Sequence, residues 1–379
     1  MFCKTWEVIP LSNAVDFLDN LRKPVTASNR VEGKYSYYGA NGLQGTINDY
    51  LFDQPLVLLA EDGGHFGNPD RDIAYIAVGK YWVNNHAHVL KPKSGVDLNF
   101  LYRVLQRYDV SPFIKGATRA KLTKGDASRI PFPLPPMAEQ KRIAAILDKA
   151  DAIRRKRQQA IELADEFLRS VFLDMFGDPV TNPKGLSVIK LGDLCNKITD
   201  GTHHSPPIVE VGIPYITAKH LKSSGLEFFK NPWYISNKSH KEIYARCAPE
   251  KHDVLYIKDG ATTGLAAINE YDFEFSMLSS LALLKPDRKV LLPEYLCMFL
   301  NHPRSKLMII ANMAGAAITR LTLAKIKDIN VPIASIESQK EFADIYWKVK
   351  VLLKKVANGA NLTQEQFSSL SQKAFSGEL

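Results

Sequence analysis

Several stretches of the 379-residue sequence carry side chains able to do chemistry. Asn84-Asn85-His86-Ala87-His88 sets two imidazoles two residues apart, on one face if the segment is extended. Such a pair can ligate a metal, but no nearby cysteine or second histidine pair completes a ligand set. Asn85 and His86 can equally read base edges by hydrogen bonding, or the cluster can serve hydrogen bonding inside a domain. Asp200-Gly201-Thr202-His203-His204-Ser205-Pro206-Pro207 has loop composition, so His203 and His204 are placed to meet a ligand. Tyr35-Ser36-Tyr37-Tyr38-Gly39-Ala40-Asn41-Gly42 mixes aromatics, an amide and glycines. Tyr35, Tyr37 and Asn41 can contact phosphates or bases; the alternative is a β-turn with core tyrosines. Between residues 115 and 121, Lys115, Arg119 and Lys121 stand beside small residues, which suits phosphate contact.

A complete enzyme is harder to assemble. Asn231-Pro232-Trp233-Tyr234 resembles the Asn-Pro-Pro-Tyr motif of adenine methyltransferases, with Trp in the third position. Glu61-Asp62-Gly63-Gly64 comes closest to a cofactor loop, but no nucleotide-binding βαβ unit follows it. Pro69-Asp70 with Glu139-Gln140-Lys141 has the residue types of a metal-dependent nuclease, too far apart. Glu139 also stands at a helix start, where a carboxylate favours the helix dipole. No Gly-x-x-x-x-Gly-Lys-Ser/Thr loop is present, so ATP use by this chain is not expected.

Composition fits a folded protein that meets nucleic acid. Forty-nine basic residues against forty acidic ones give a net charge of +9, a moderate nucleic-acid signal. Hydrophobic content of 45% is ordinary, and the length suggests about two to three domains. The four cysteines lie far apart, which argues against a zinc site or a disulfide framework. Neither a membrane-spanning apolar run nor a signal pattern is evident, so a cytoplasmic location is expected.

The chain also repeats itself. Leu58-Leu59-Ala60-Glu61-Asp62-Gly63 matches Leu255-Tyr256-Ile257-Lys258-Asp259-Gly260, and Val89-Leu90-Lys91-Pro92 matches Leu283-Leu284-Lys285-Pro286. Lys121-Leu122-Thr123 matches Arg320-Leu321-Thr322, and Gln140-Lys141 matches Gln339-Lys340. The offset is 194 from Pro92 to Pro286 and 199 from Gln140 to Gln339. Near the start it is 180, from Leu11 to Leu191, so the second copy carries about 17 extra residues, assigned to the region 200–233.

Each copy alternates short β-type runs (55–60, 74–78, 254–257) with short helices (100–107, 294–300), which predicts an α+β fold. Each copy ends in a long amphipathic helix. Ile143, Ile146, Ala150, Ile153, Ala160, Ala164, Phe167 and Val171 recur at 3-4 spacing, interrupted by Arg157. Phe342, Ile345, Val349, Leu352 and Val356 do the same, and the pattern breaks at Asn358-Gly359. The spacing predicts a pair of antiparallel coiled-coil helices related by a pseudo-twofold axis; the alternative is that each helix packs on its own globule. Arg154-Arg155-Lys156-Arg157 reads as a solvated face or a partner contact.

The segment IPFPLPPMAEQKRIAAILDKADAIRRKRQQAIELADEFLRSVFLDMFGDP resembles the central conserved region of type I restriction-modification specificity subunits. The terminal QKAFSGEL resembles the end of their distal conserved region, and LYIKDGATTG and YYGANG…EDG…NNHAHVL resemble their target recognition domains. The resemblance implies a first recognition domain over 1–136, a helical spacer over 137–178, a second recognition domain over 179–333 and a distal helical region over 334–379. Each domain would read one half of a bipartite, asymmetric site in double-stranded DNA. The resemblance also implies partners: two modification subunits with S-adenosylmethionine that methylate adenine N6, and restriction subunits that use ATP and Mg2+. The chain itself would be a non-catalytic DNA-recognition subunit. Lys219, Lys258, Thr262 and Arg320 join the candidate DNA contacts. A specificity subunit of a stand-alone methyltransferase, a self-contained DNA-modifying enzyme and a non-specific DNA-bridging scaffold are the competing readings.

Overall fold

A computed structural model describes residues 3, 5–68, 71–114, 120–311 and 321–378, the side chains of 357–368 excepted. The chain forms two compact units, Met1–Gln158 with Asn358–Leu379, and Gln159–Ala357. The first contains β1 (Glu7–Pro10), α1 (Leu11–Ala14), β2 (Val15–Phe17), β3 (Tyr35–Gly39), β4 (Gly42–Ile47), β5 (Leu56–Ala60), β6 (Ala74–Ala77), β7 (Tyr81–Val83) and β8 (Ala87–Pro92). It continues through α2 (Leu98–Leu105), α3 (Lys124–Ala127) and β9 (Pro131–Leu134) into the long helix α4 (Met137–Phe176).

β5 reads LVLLA, apolar at every position, and all five residues are buried. A strand buried on both faces must stand inside a sheet, and β5 does, in the antiparallel order β2-β8-β5-β6. Side chains alternate across it. Val57 and Leu59 enter one core with Phe100, Leu101 and Leu105 of α2, Ile143 and Leu147 of α4, and Ala374. Leu56 and Leu58 enter a second core with Tyr81, Val83 and Val89. That second core is roofed by a small sheet in which β3 pairs with β4 antiparallel and with β7 parallel. The chain end returns to this unit: the Cys3 N–H donates to the Phe375 carbonyl at 2.7 Å, and the Phe375 ring lies 6.2 Å from Phe100.

The second unit repeats the frame with β10 (Ser187–Lys190), α5 (Leu191–Leu194), β11 (Cys195–Asp200), β17 (Val254–Ile257), β18 (Ala266–Ile268), β20 (Leu281–Pro286), α7 (Pro293–Asn301), α9 (Leu323–Lys327), β21 (Asn330–Ile333) and α10 (Ile336–Ser376). Its sheet order, β11-β20-β17-β18, matches β2-β8-β5-β6 strand for strand. Val254 and Tyr256 face one core and Leu255 and Ile257 the other. Thr123 caps α3 by accepting from the Asp126 N–H, and Thr322 caps α9 by accepting from the Lys325 N–H. The offset is 181 between Phe17 and Ile198, which pair with Leu90 and Leu284, and 197 between Val57 and Val254. The extra residues therefore fall between β11 and β17. There the second unit builds β12 (Ile208–Val209), β13 (Ile213–Ile216), β14 (Leu221–Lys222), β15 (Gly225–Leu226), β16 (Tyr234–Ile235) and α6 (Asn237–Tyr244). β13 pairs parallel with β19 (Ser276–Met277), as β3 does with β7.

The heptad seam holds only in part: Ile143, Ala150, Ala164, Val171, Phe342, Ile345 and Val349 pack on a core. Ile153 (40% exposed) and Phe167 (52%) face solvent, and Ala160 is exposed too. The buried apolar positions of α4 are Ile143, Ala144 and Leu147 in the first unit's core, and Leu168, Phe172 and Phe176 in the second's. On α10 the buried face runs Phe342, Tyr346, Val349 and Leu353, so Leu352, at 60% exposure, falls off it. A straight helix drifts from a seven-residue repeat, and the end turns follow their own globule's core. Arg154 and Arg155 pair with Asp151 at 2.8 and 3.0 Å, so they are not a free basic face. The helix α10 runs through Asn358-Gly359 without a break. Gly177, at φ 79, ends α4, and its N–H reaches the Leu173 carbonyl at 2.8 Å. Among the described residues no helix is long and apolar enough to cross a membrane.

Gln140 and Gln339, both 0% exposed, fasten the long helices. Gln140 Nε2 donates to the carbonyls of Gly95 (2.8 Å) and Pro135 (2.9 Å), and Oε1 accepts from the Asp97 N–H at 2.8 Å. Gln339 donates to Val290 and Ala334, each at 2.9 Å, and accepts from the Leu292 N–H at 2.8 Å. Leucine would leave three backbone groups without partners, at about 1–3 kcal/mol each. Gln140→Leu and Gln339→Leu are each expected to cost about 3 kcal/mol or more, read by urea unfolding. A loss below about 1 kcal/mol in either variant would remove the clamp from this role.

Candidate nucleic-acid interface

In the first unit four loops meet at the end of the main sheet. The Asn41 amide donates to the Gly63 carbonyl at 2.8 Å, the Glu61 N–H to the His86 carbonyl at 2.8 Å, and the Leu122 N–H to the Glu61 carbonyl at 2.7 Å. Asn41, Asn85, His86 and Lys121 thus share one rim. Asn41, Asn85 and Lys121 are exposed, and the His86 side chain is 37% exposed. His86 Nδ1 contacts the Asp62 carboxylate, which orients the ring. Amides, an imidazole and an ammonium in one place can bond base edges and phosphates.

Beneath the rim lies a charged network that the sequence did not reveal. His88 is fully buried, with Nδ1 2.7 Å from Asp19 Oδ2 and Nε2 2.8 Å from the Leu122 carbonyl. Arg22 Nη1 donates to Glu61 Oε2 at 2.7 Å, and Lys121 Nζ lies 3.2 Å from Glu61 Oε1. Burial opposes ionisation of Asp19. The hydrogen bond and charge of His88, the Val89 N–H and the charge of Arg22 outweigh it and hold the carboxyl below the ordinary range. Asp19, Glu61 and His88 bring their donor atoms within 4.8 Å of one another, a composition able to take a cation. Arg22 and Lys121 already bring two positive charges to these carboxylates, so charge balance requires no metal. His88 serves the interior, and the two-histidine metal reading of residues 86 and 88 finds no support in this geometry.

The second unit builds its rim at the same end of its sheet. Lys258 Nζ lies 3.1 Å from Asp259 Oδ2 and 3.5 Å from Asp200 Oδ2, and His203 Nε2 3.5 Å from Asp200 Oδ2. Arg246 donates to the Asp200 carbonyl at 3.1 Å and to the Gly201 carbonyl. Thr202 Oγ1 donates to the His204 carbonyl at 3.0 Å and shapes the turn that presents both histidines. A groove of about 610 Å³ runs between residues 202–207 and Ser239, Glu242, Ile243 and Arg246.

His203, His204 and the exposed Thr262 are accessible here. Lys258, at 2% exposure, is not: its charge is spent inside. Lys219 stands apart, its ammonium 2.6 Å from the centre of the Trp233 ring. Tyr37 is 1% exposed, and its hydroxyl donates to the Val25 carbonyl at 3.0 Å, so it belongs to the core rather than to a ligand. Tyr35, at the opposite end of β3 from the rim, packs on Tyr50 at 5.1 Å. Lys115, Arg119 and Arg320 lie outside the described residues. Glu139 pairs with Arg142 at 2.8 Å. Asn231 is exposed, and its carbonyl accepts from His220 Nε2 at 2.9 Å, which makes this segment a turn before β16.

His220 yields a pH prediction. It is 1% exposed; Nδ1 accepts from the Thr217 N–H at 2.9 Å while Nε2–H donates to Asn231, so the ring is held neutral. Burial lowers its pKa, Lys219 and Lys222 push it the same way, and the Asn231 carbonyl opposes them. The unfolded chain therefore binds the proton at higher pH than the folded one does. This stabilisation is complete above the unfolded value, near 6.5, and is lost as pH falls through the folded value. The urea midpoints of the parent and His220→Gln should converge as pH drops from 7.5 toward 5. A gap independent of pH would show that His220 is not the titrating group.

The sequence pattern of the type I restriction modification DNA specificity domain matches residues 3–163 and again residues 183–358. A putative type I restriction enzyme specificity subunit of Haemophilus influenzae is 30% identical over 97% of this chain and 92% of its own length. The EcoBI specificity subunit of Escherichia coli is 23% identical over 65% of this chain and 58% of its own. The crystal structure of a type I S subunit from M. genitalium superposes with a TM-score of 0.69 at 16% identity, over 98% of this chain and 96% of that one, which shows a shared fold. One family pattern matched twice, on the two copies that the structure also builds twice, places this chain in the family of type I restriction-modification DNA specificity subunits.

Proposed function

We propose that each unit reads one half of a bipartite, asymmetric site in double-stranded DNA. The observation that carries this reading is one frame built twice with different rims: β2-β8-β5-β6 and β11-β20-β17-β18 share order and register, while the segments after β2 and β11 differ in length and fold. Two copies of one frame engage two stretches of duplex in the same manner; two different rims select different bases. Asn41, Asn85 and His86 are the candidate readers in the first unit, and His203, His204 and Thr262 in the second. Lys115, Arg119, Lys121, Lys219 and Arg320 supply phosphate contacts, which position without specifying sequence.

In this reading the chain is not itself catalytic. It works in the cytoplasm with two modification subunits, which bind S-adenosylmethionine and methylate adenine N6, and with restriction subunits, which use ATP and Mg2+. The test exchanges residues 1–136 for those of a family member with another target and maps methylation by the chain reconstituted with its modification subunits. One half of the methylated sequence should change and the other persist. A change in both halves, or in neither, would defeat the modular reading. The purified chain alone should transfer no methyl group from labelled S-adenosylmethionine; incorporation abolished by Asn231→Ala would make it an enzyme.

A further inference from the structure

Arg22 follows the 3-10 turn Asp19–Leu21 and reaches under the loop that joins β7 to β8. Its Nη1 donates to the Ala87 carbonyl at 2.7 Å and the Asn85 carbonyl at 3.5 Å, as well as to Glu61. Its Nε donates to the Asp19 carbonyl at 3.1 Å, and its Nη2 lies 3.5 Å from Asp19 Oδ2. The side chain is 11% exposed, and the bonds to Glu61, Ala87 and Asp19 are partly shielded from solvent. One planar group therefore fixes the backbone on both sides of His86, while Asn84 Oδ1 accepts from the His86 N–H at 2.8 Å. The exposed Asn85 side chain and the His86 ring, oriented by Asp62, are left to face outward.

The second unit reaches the same result with another residue. Asp200 takes the place of Asp19, since Phe17 and Ile198, which pair with Leu90 and Leu284, stand two residues before each. Arg246, which follows α6 in the segment the first unit lacks, bonds the carbonyls of Asp200 and Gly201, with the Asp200 carboxylate 3.3 Å away. The gripped backbone leads directly into His203 and His204. We infer that Arg22 and Arg246 are positioning residues for sequence discrimination, each aiming the base-reading loop of its own unit by holding that loop's carbonyls. The inference rests on the proposed DNA-reading function of the rims. Neither arginine needs to touch DNA for it to hold.

Lysine separates this role from general structural support. It keeps the positive charge near Glu61, Asp19 and Asp200, but its chain is one bond shorter than the path to the terminal guanidinium nitrogens that make every loop-carbonyl bond, and it lacks the Nε–H that holds the Asp19 carbonyl. Arg22→Lys, Arg246→Lys and His86→Ala would each be reconstituted with the modification subunits and used to methylate a pooled library of randomised duplexes. Sequencing the methylated pool gives base preference separately for each half-site. Arg22→Lys should lower discrimination in the first half roughly tenfold, the order of one lost base contact, and leave the second half unchanged. Arg246→Lys should do the mirror image, and both variants should remain folded at the assay temperature. Equal loss in both halves, or a slower rate with discrimination intact, would reduce the arginines to structural supports and overturn the inference. A changed first half in His86→Ala with none in Arg22→Lys would overturn the positioning role and leave the interface standing. No change in any of the three would overturn both.

Discussion

Gln140 and Gln339 have no exposed surface, so no water replaces the bonds they make. Each amide joins three stretches of its unit: the first turn of a long helix, the proline- or alanine-ended strand exit before it, and the loop that starts the short helix packed on the sheet. A single-purpose apolar residue could fill the space but could not satisfy those carbonyls and that N–H. One side chain therefore ties each long helix to the strand exit and the short helix at its start. That tie helps decide which face of α4 meets Phe100 and Leu101, and which face of α10 meets Tyr295 and Leu296.

With that end fixed, the opposite end of the sheet is free to differ. The backbone bond from the Leu122 N–H to the Glu61 carbonyl recurs as the Leu321 N–H to the Lys258 carbonyl, at 2.7 and 2.9 Å. The side chains at the same place carry opposite charge, Glu61 in one unit and Lys258 in the other. His88 in the first unit corresponds to Ala282 in the second, since Leu59 pairs with His88 and Tyr256 with Ala282. Backbone bonds preserve the loops' origin while side chains set what they display.

The duplication was legible because backbone-determining residues repeat: the threonine caps, the glutamines, the apolar strand runs and the prolines that end β8 and β20. The function of the glutamines was not, because a polar residue one turn into an amphipathic helix looks solvated until its loop partners are known. The heptad held only in part, for a related reason. Ile153 and Phe167 fit a coiled-coil pattern in one dimension, but Leu147 and Phe172 have a globule's core to enter, and that selects the face. Tyr37 misled because tyrosine suits both an interior hydrogen bond and a ligand, and only Val25, twelve residues away, distinguishes them. Arg22 and Arg246 were invisible: they come from unrelated positions in the two copies, so no repeat marks them.

Their placement also bears on a difficulty in the proposed interface. Asp19, Glu61 and Asp62 lie at the rim of the first unit, and carboxylates facing a phosphate backbone would repel it. Here the carboxylates are turned inward onto donors: Asp19 onto His88 and Arg22, Glu61 onto Arg22 and Lys121, Asp62 onto His86. Removing one cation would leave an uncompensated charge beneath the loops, which costs more than the pair contributes when intact. The second unit treats Asp200 in the same way with Lys258 and Arg246. Acidic groups that would oppose DNA binding on an open surface thus become the fixed points from which the loops are held. A guanidinium suits this place better than an ammonium, since it neutralises the carboxylate and bonds the loop carbonyls at once.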